Sequence, residues 1–170
     1  MHDPTPLTGN LALLRQGLAL LAQLPDSLYA GAAEGRSAVG AQYRHVLDHY
    51  HSFLNGLPNG LVDYDARARD PLVETSRDEA SRVTREVQAA LARLGAADLH
   101  RVLRVHISAA PSDGNGSAHG STVGRELLFL LSHTVHHYAI MRLLLEDLGW
   151  TCDPDFGTAP STLAYRAASG

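Results

Sequence analysis

Apolar residues recur at helical spacing along four stretches of the chain. From Leu7 to Leu24 the sequence is rich in leucine and alanine, and only Arg15 and Gln16 interrupt its middle. This predicts a mostly buried helix that Pro25 ends or restarts. A second stretch carries one apolar stripe at steps of three and four, made of Val39, Tyr43, Val46, Tyr50, Phe53 and Leu57. Ser37 is placed to cap this second helix.

The third and fourth helices have clear start and stop signals. The third begins at Ser76, which is followed three residues later by a glutamate, as in a capping box, and Gly95 ends it. The fourth begins at Ser121 or Thr122, runs to residue 148 and is stopped by Gly149.

The segments between these helices show weaker patterns. Residues 61–75 look irregular, with alternating charges, and residues 103–107 alternate apolar and polar as in a short strand or an extended arm. The stretch 111–120 is a loop rich in glycine and serine, and residues 151–170 form a tail with little helical pattern. With no strong strand pairing, we predict an all-α four-helix bundle with a long crossover between helices three and four and an irregular C-terminal tail.

Length and composition narrow the class of protein. A chain of 170 residues predicts a single domain over 1–170, with its core at about 7–150 and the tail at 151–170. The net charge is -4 and there is no basic run, which argues against a nucleic-acid partner. The longest apolar run, Leu127–Leu131, is too short to cross a membrane, and the N-terminus lacks the features of a signal peptide. The single cysteine, Cys152, cannot form an internal disulfide, so we expect a cytoplasmic protein.

Histidines cluster in the second and fourth helices. Of ten histidines, three fall within 45–51 and three within 133–137. His133 and His137 are one turn apart on one helix face, so they project together. We predict that they belong to a core-facing stripe made of Leu130, His133, His137, Ile140 and Leu144.

Two neutral imidazoles in an apolar core are costly unless their nitrogens find partners, and a metal ion would satisfy both. The alternative is a pair of ordinary core or interface histidines bonded to neighbours or water. No glutamate follows His133 directly, so the metalloprotease pattern His-Glu-x-x-His is absent. The sequence therefore disfavours a metallopeptidase.

A third metal ligand would have to come from the second helix, which offers His45, His49 and His51. His51 is at a poor angle to the other two and is expected to face solvent. His45 and His49 are one turn apart beside the apolar stripe, so either could reach into the bundle. Helical geometry alone leaves that choice open.

With these features the chain resembles the DinB/YfiT superfamily of metal-binding four-helix bundles over residues 7–150. In that family the second-helix ligand follows a capping Ser or Thr by about two turns and is often followed by an acidic residue, a frame that Ser37, His45 and Asp48 fit. The frame favours His45 over His49. His133 and His137 match the family's paired ligands on the last long helix.

The resemblance implies one divalent metal held by His45, His133 and His137, with one or more open coordination positions. Zinc is the default metal for such ligands, and nickel, iron or manganese would tolerate them. Relatives of this kind include transferases and isomerases that depend on a small thiol such as mycothiol or bacillithiol. The first hypothesis is thus a metal-dependent transferase or hydrolase acting on a small thiol or thiol adduct.

Two other hypotheses remain open. One is a non-catalytic, metal-stabilised bundle with a role in stress response or in protein interaction, and the other is a bundle that holds no metal. A homodimer is compatible with a small bundle, but no sequence feature requires it.

Three further residues are candidates for roles around the metal. Glu126 lies two turns before His133 and could orient a ligand, act as a base, or simply favour the positive end of its helix. Asp48 could accept a hydrogen bond from an imidazole or be a solvated surface residue. Arg125 could bind an anionic substrate.

Overall fold

The computed structural model describes residues 5–31, 38–108 and 118–169. The helices in these ranges are α1 (Pro6–Gln23), α2 (Asp26–Ala30), α3 (Val39–Gly56), α4 (Pro71–Thr75), α5 (Arg77–Leu91), α6 (Val123–Asp147) and α7 (Pro160–Ser169), with a 3-10 helix at Ala96–His100. The strands are β1 (Leu61–Asp63), β2 (Val102–His106) and β3 (His119–Thr122). The chain is mostly helical, as predicted. No helix in these ranges is both long and apolar enough to span a membrane.

The four longest helices α1, α3, α5 and α6 enclose the core. Helix α1 packs against α5 and α6, and α3 packs against the same two helices, so the contacts close into a ring. The apolar stripe predicted for the second helix is α3's inner face, since all six of its residues are buried. Helices α3 and α6 share the most extensive of these contacts.

Residues predicted to begin or end α5 and α6 have the expected local structure at those helix ends. The Ser76 hydroxyl accepts a hydrogen bond from the backbone N–H of Glu79 at the start of α5. The Thr122 hydroxyl does the same for Arg125 at the start of α6, and Gly149 has a φ of +79° just beyond the end of that helix. Ser37, the predicted cap of α3, lies outside the described residues.

A small three-stranded sheet corrects the prediction of a chain without strand pairing. Strand β1 pairs parallel to β2, which pairs antiparallel to β3. Strand β2 confirms the alternating pattern near residue 103, but residues 61–75, predicted to be irregular, contain β1 and α4. Strand β1 has only three residues and pairs with a segment far away in sequence. No local sequence pattern therefore predicts it.

The predicted irregular tail is also wrong over residues 160–169, which form α7. Pro160 stands at the first helical position, where its missing N–H costs nothing. Alanines and Leu163 after it favour a helix. The proline and glycine residues at 154–160 are typical of a loop, and the prediction therefore does not include this short helix.

A buried polar network fixes α3 against α1 and α6. The Tyr50 hydroxyl donates to Asn10 Oδ1 (2.6 Å) and lies 3.1 Å from the Thr134 hydroxyl. Asn10 Nδ2 in turn donates to the carbonyls of Pro6 and Leu127, each at 2.7 Å. Asn10, Tyr50 and Thr134 are fully buried. Because the three polar side chains satisfy one another, the network sets the register of the three helices.

The same network corrects the predicted core stripe of α6. The fully buried face of α6 runs through Leu127, Leu130, Thr134, Tyr138, Met141 and Leu145. His133 and His137 are half-buried at the edge of this face. The predicted stripe is off by one position, because Thr134 and Tyr138 carry polar groups and no local pattern indicates that they are buried.

We expect Asn10→Ala to lower the free energy of unfolding by about 2–3 kcal/mol, because it removes three buried hydrogen bonds and leaves a void. Chemical denaturation would measure this change. The exposed Asn55 of α3 provides the control, and Asn55→Ala should stay within about 0.5 kcal/mol of wild type. Equal effects of the two substitutions would contradict a structural role for the network.

Candidate metal centre

Four histidines meet where α3 faces α6. His45 and His49 are one turn apart on α3, with ring centres 4.5 Å apart, and His133 and His137 are one turn apart on α6, at 4.4 Å. Across the helices the ring centres are separated by 4.0 Å for His49 and His133, 4.5 Å for His45 and His137, and 5.1 Å for His45 and His133. We call these four residues the histidine cluster.

Part of the cluster has the spacing of a metal site. Each of His45, His49 and His133 offers a ring nitrogen, and the three nitrogens lie within 4.8 Å of one another. These three residues could therefore hold a metal ion. His137 adjoins them through its contacts with His45 and His133. The structure thus brings the predicted residues His45, His133 and His137 together and adds His49; which three bind a metal stays a prediction.

Two of the rings have their tautomer fixed by a hydrogen bond on the Nδ1 side. The Nδ1 atom of His49 is 2.9 Å from the carbonyl oxygen of His45, and that of His137 is 2.7 Å from Gln42 Oε1. Both oxygens accept, so each Nδ1 carries the proton and each Nε2 keeps its lone pair. Such outer partners orient metal-binding histidines. Gln42 lies one turn before His45, a spacing that could have identified it in the sequence.

Of the remaining two rings, that of His133 has a nitrogen without a partner in the described part of the chain. His133 Nε2 is buried and has no hydrogen-bond partner within the described ranges. The Nδ1 atom of His45 lies 3.1 Å from Nη1 of Arg67, which donates to it. An unpaired buried nitrogen is costly. A divalent metal ion among these rings would satisfy His133 Nε2, so the donor set fits such a group.

Burial keeps the cluster neutral. Removal from water lowers the pKa of His45 to about 3, that of His133 to about 2 and that of His137 to about 4, and neighbouring histidines add to each effect. Burial also lowers the pKa of His49. All four imidazoles are therefore uncharged near neutral pH, which is the form that binds a metal.

Aromatic side chains close one side of the cluster. Tyr64 stacks on His49 with ring centres 5.5 Å apart, and Phe129 stacks on His133 at 5.6 Å. The Tyr64 hydroxyl donates to Glu126 Oε2 at 2.9 Å. Glu126 is fully buried, and its other oxygen accepts bonds from Ser121 and Arg125. Glu126 therefore acts on the cluster through Tyr64, which it holds against His49.

The other candidates lie further out. Asp48 is buried but accepts a hydrogen bond from Arg44 at 2.6 Å. The Arg125 guanidinium lies 5.8 Å from the Phe129 ring centre. His136 is exposed, and it contacts the cluster only through His137. Besides Gln42, sequence reasoning missed Arg67, because it lies in a segment that looks irregular and carries no motif.

A second group with metal-ligand spacing lies at the sheet and is more exposed. His106 Nδ1 is 3.4 Å from Asp63 Oδ1 and 3.6 Å from Asp65 Oδ2. Asp63 Oδ1 already accepts the backbone N–H groups of Asp65 and Ala66, as in an ordinary turn. Asp63 Oδ1 is thus partly used by the turn, and the histidine cluster is the more buried of these two groups that could hold a metal.

A cavity of about 290 Å³ lies elsewhere, between α1 and the residues around α7. Its lining includes Gln16, Trp150, Cys152 and Phe156, and no histidine. Burial raises the pKa of the Cys152 thiol, which keeps it protonated and a poor nucleophile. Two carboxylates, Asp153 and Asp155, also line the cavity, but the histidines of the cluster are not among the described residues that line it.

Comparisons with known proteins identify one family. The family model of the DinB superfamily matches residues 13–141. A protein described as FK506-binding protein 5, from Rhizopus delemar, is 30% identical over 105 residues, which are 62% of this chain and 27% of that protein. The chain thus spans about a quarter of that relative's length. No solved structure matches.

The lowered pKa values predict a pH-dependent stability for the metal-free protein. In the unfolded chain the histidines have a pKa of about 6.5, so below this pH they bind protons, whereas the histidines of the folded cluster stay neutral. The free energy of unfolding should therefore fall as the pH drops from 7.5 to 5. Urea denaturation across this range would measure the slope. His133→Gln should flatten the slope, whereas the exposed control His136→Gln should retain it. Identical slopes in all three proteins would contradict a neutral buried cluster.

Proposed function

Because the chain belongs to the DinB superfamily, we propose that it is a metal-dependent transferase or hydrolase that acts on a small thiol or a thiol adduct. Its four long helices would form the four-helix bundle expected of this superfamily, an arrangement that the closed ring of helix contacts supports. The observation that carries the proposal is the histidine cluster, in which the buried Nε2 of His133 has no partner in the described part of the chain.

We assign the metal to His45, His133 and His137. The family frame favours His45 over His49, and the hydrogen bond to Gln42 already orients His137 with Nε2 free. The competing set replaces His137 by His49, whose nitrogen lies within ligand spacing of His45 and His133. Zinc is the default metal for three imidazoles, and nickel, iron and manganese are the alternatives.

Side chains around the metal would have separate roles in the reaction. A divalent ion on three imidazoles supplies a Lewis acid that helps a thiol or water lose its proton near neutral pH. Nε2 of His49 keeps its lone pair, because Nδ1 donates to the carbonyl of His45, so it can take up that proton. Tyr64 and Phe129 cover the His49 and His133 rings and keep water off that side.

A non-catalytic, metal-stabilised bundle is the second candidate, and one observation favours it. Four imidazoles stand together, so His49 could fill the last position of a tetrahedral metal and leave none open. A closed site of this kind would stabilise the fold without binding substrate.

Elemental analysis of untagged protein tests the ligand assignment. We expect about one divalent metal per chain in wild type and in His49→Ala, and at least a tenfold lower content in His45→Ala, His133→Ala and His137→Ala, since removing one of three ligands leaves too few. The exposed neighbour His136→Ala is the matched control and should keep the metal. Loss in His49→Ala with retention in His137→Ala would replace the assigned set by the competing one.

Turnover separates the enzyme from the metal-stabilised bundle. A panel of small thiols and their adducts should include substrates whose conversion is lost in His137→Ala and strongly reduced in His49→Ala, although the latter keeps its metal. If no member of the panel reacts, and metal removal only lowers the unfolding temperature, the second candidate is supported instead.

A further inference from the structure

Arg67 is a cation beside the histidine cluster, and it has no anionic partner within the described part of the chain. It lies in the segment between β1 and α4, and its Nη1 donates to His45 Nδ1 at 3.1 Å. Its Nε is buried and has no hydrogen-bond partner, and among residues 5–31, 38–108 and 118–169 no carboxylate lies within ion-pair distance of it. Guanidinium groups are seldom buried without a carboxylate or phosphate to accept their N–H groups.

A metal on His45 would break the one hydrogen bond that Arg67 makes to the cluster. If His45 binds through Nδ1, the lone pair that accepts from Arg67 is used by the metal. If it binds through Nε2, the neutral ring carries its proton on Nδ1, which can no longer accept. Either way, loading the site would leave Nη1 as well as Nε of Arg67 without an acceptor beside His45.

The free donors determine what kind of ligand fits beside the metal. The planar guanidinium presents parallel pairs of N–H groups, Nε with Nη2 and Nη1 with Nη2, and either pair matches the two oxygens of a carboxylate. We propose that Arg67 binds the carboxylate of the substrate, so that the site selects small thiols or thiol adducts that carry a carboxylate close to the sulfur. This inference rests on the proposed metal-dependent function and adds the substrate class to it.

The specificity can be measured by binding, without turnover. Protein loaded with cobalt(II) would be titrated with mercaptoacetate and with 2-mercaptoethanol, and the absorption of the cobalt–thiolate bond would report occupancy. Both ligands carry a primary thiol on a two-carbon skeleton, and the carboxylate of mercaptoacetate is replaced by a hydroxymethyl group in 2-mercaptoethanol. We expect wild type to bind mercaptoacetate about ten- to a hundredfold more tightly, the range for one charge-assisted hydrogen-bonded pair. Because the two thiols differ in acidity, the ratio of affinities is compared between variants.

Arg67→Gln should reduce this ratio to near one while leaving the affinity for 2-mercaptoethanol within about threefold of wild type. Arg67→Lys keeps the positive charge but loses the paired N–H groups of the guanidinium, so its affinity ratio should lie between those of wild type and Arg67→Gln. Arg85→Gln removes the same charge from an exposed position on α5 and should leave the ratio unchanged. Circular dichroism and cobalt content of each variant would accompany the titrations.

The outcomes distinguish the inference from the function on which it rests. If Arg67→Gln and Arg67→Lys both bind cobalt and both keep the wild-type ratio of affinities for the two thiols, Arg67 does not bind the carboxylate. That result would not affect the proposed metal centre. The same holds if wild type shows no preference for mercaptoacetate. Failure of wild type to take up cobalt would overturn the metal centre, and the inference with it.

Discussion

The Tyr50 hydroxyl, held between Asn10 and Thr134, is the interaction on which the rest of the structure depends. It joins α1, α3 and α6 inside a largely apolar core, whose apolar contacts alone would permit the helices to slide. Hydrophobic burial is non-directional, whereas these hydrogen bonds are satisfied in one register only. His49 precedes Tyr50 and His133 precedes Thr134, so the bond that fixes the helices also brings those two rings to 4.0 Å.

The histidine cluster is costly to the fold in a way that a purely structural core would avoid. Four imidazoles occupy an interface that leucines could fill, they must stay neutral, and one buried nitrogen has no partner in the described structure. The surroundings offset part of this cost, since Gln42 and the His45 carbonyl hold the rings of His137 and His49, and Tyr64 and Phe129 cover those of His49 and His133. A site that the protein orients and shields in this way fits a ligand that satisfies all the rings at once.

The features that could be predicted from sequence are those with local causes. Ser76, Thr122 and Gly149 act within one turn of the helix end that each determines, and the spacing of His133 and His137 follows from the helical period alone. The sheet could not be predicted, because β1 has three residues whose partners are some forty positions away. The prediction of the core face of α6 is off by one position, because Thr134 is buried against the Tyr50 hydroxyl and Tyr138 against the Tyr43 ring, both on α3. Arg67 could not be found at all, since only the fold brings its loop to His45.

The measurement that tests the central claim most directly is anomalous diffraction from crystals of metal-loaded protein, recorded at the absorption edge of the bound metal. We predict one strong peak between α3 and α6, about 2.0–2.2 Å from one nitrogen each of His45, His133 and His137. The guanidinium of Arg67 should then be turned away from His45. A peak only at Asp63, Asp65 and His106, or no peak at all, would contradict a metal centre at the histidine cluster.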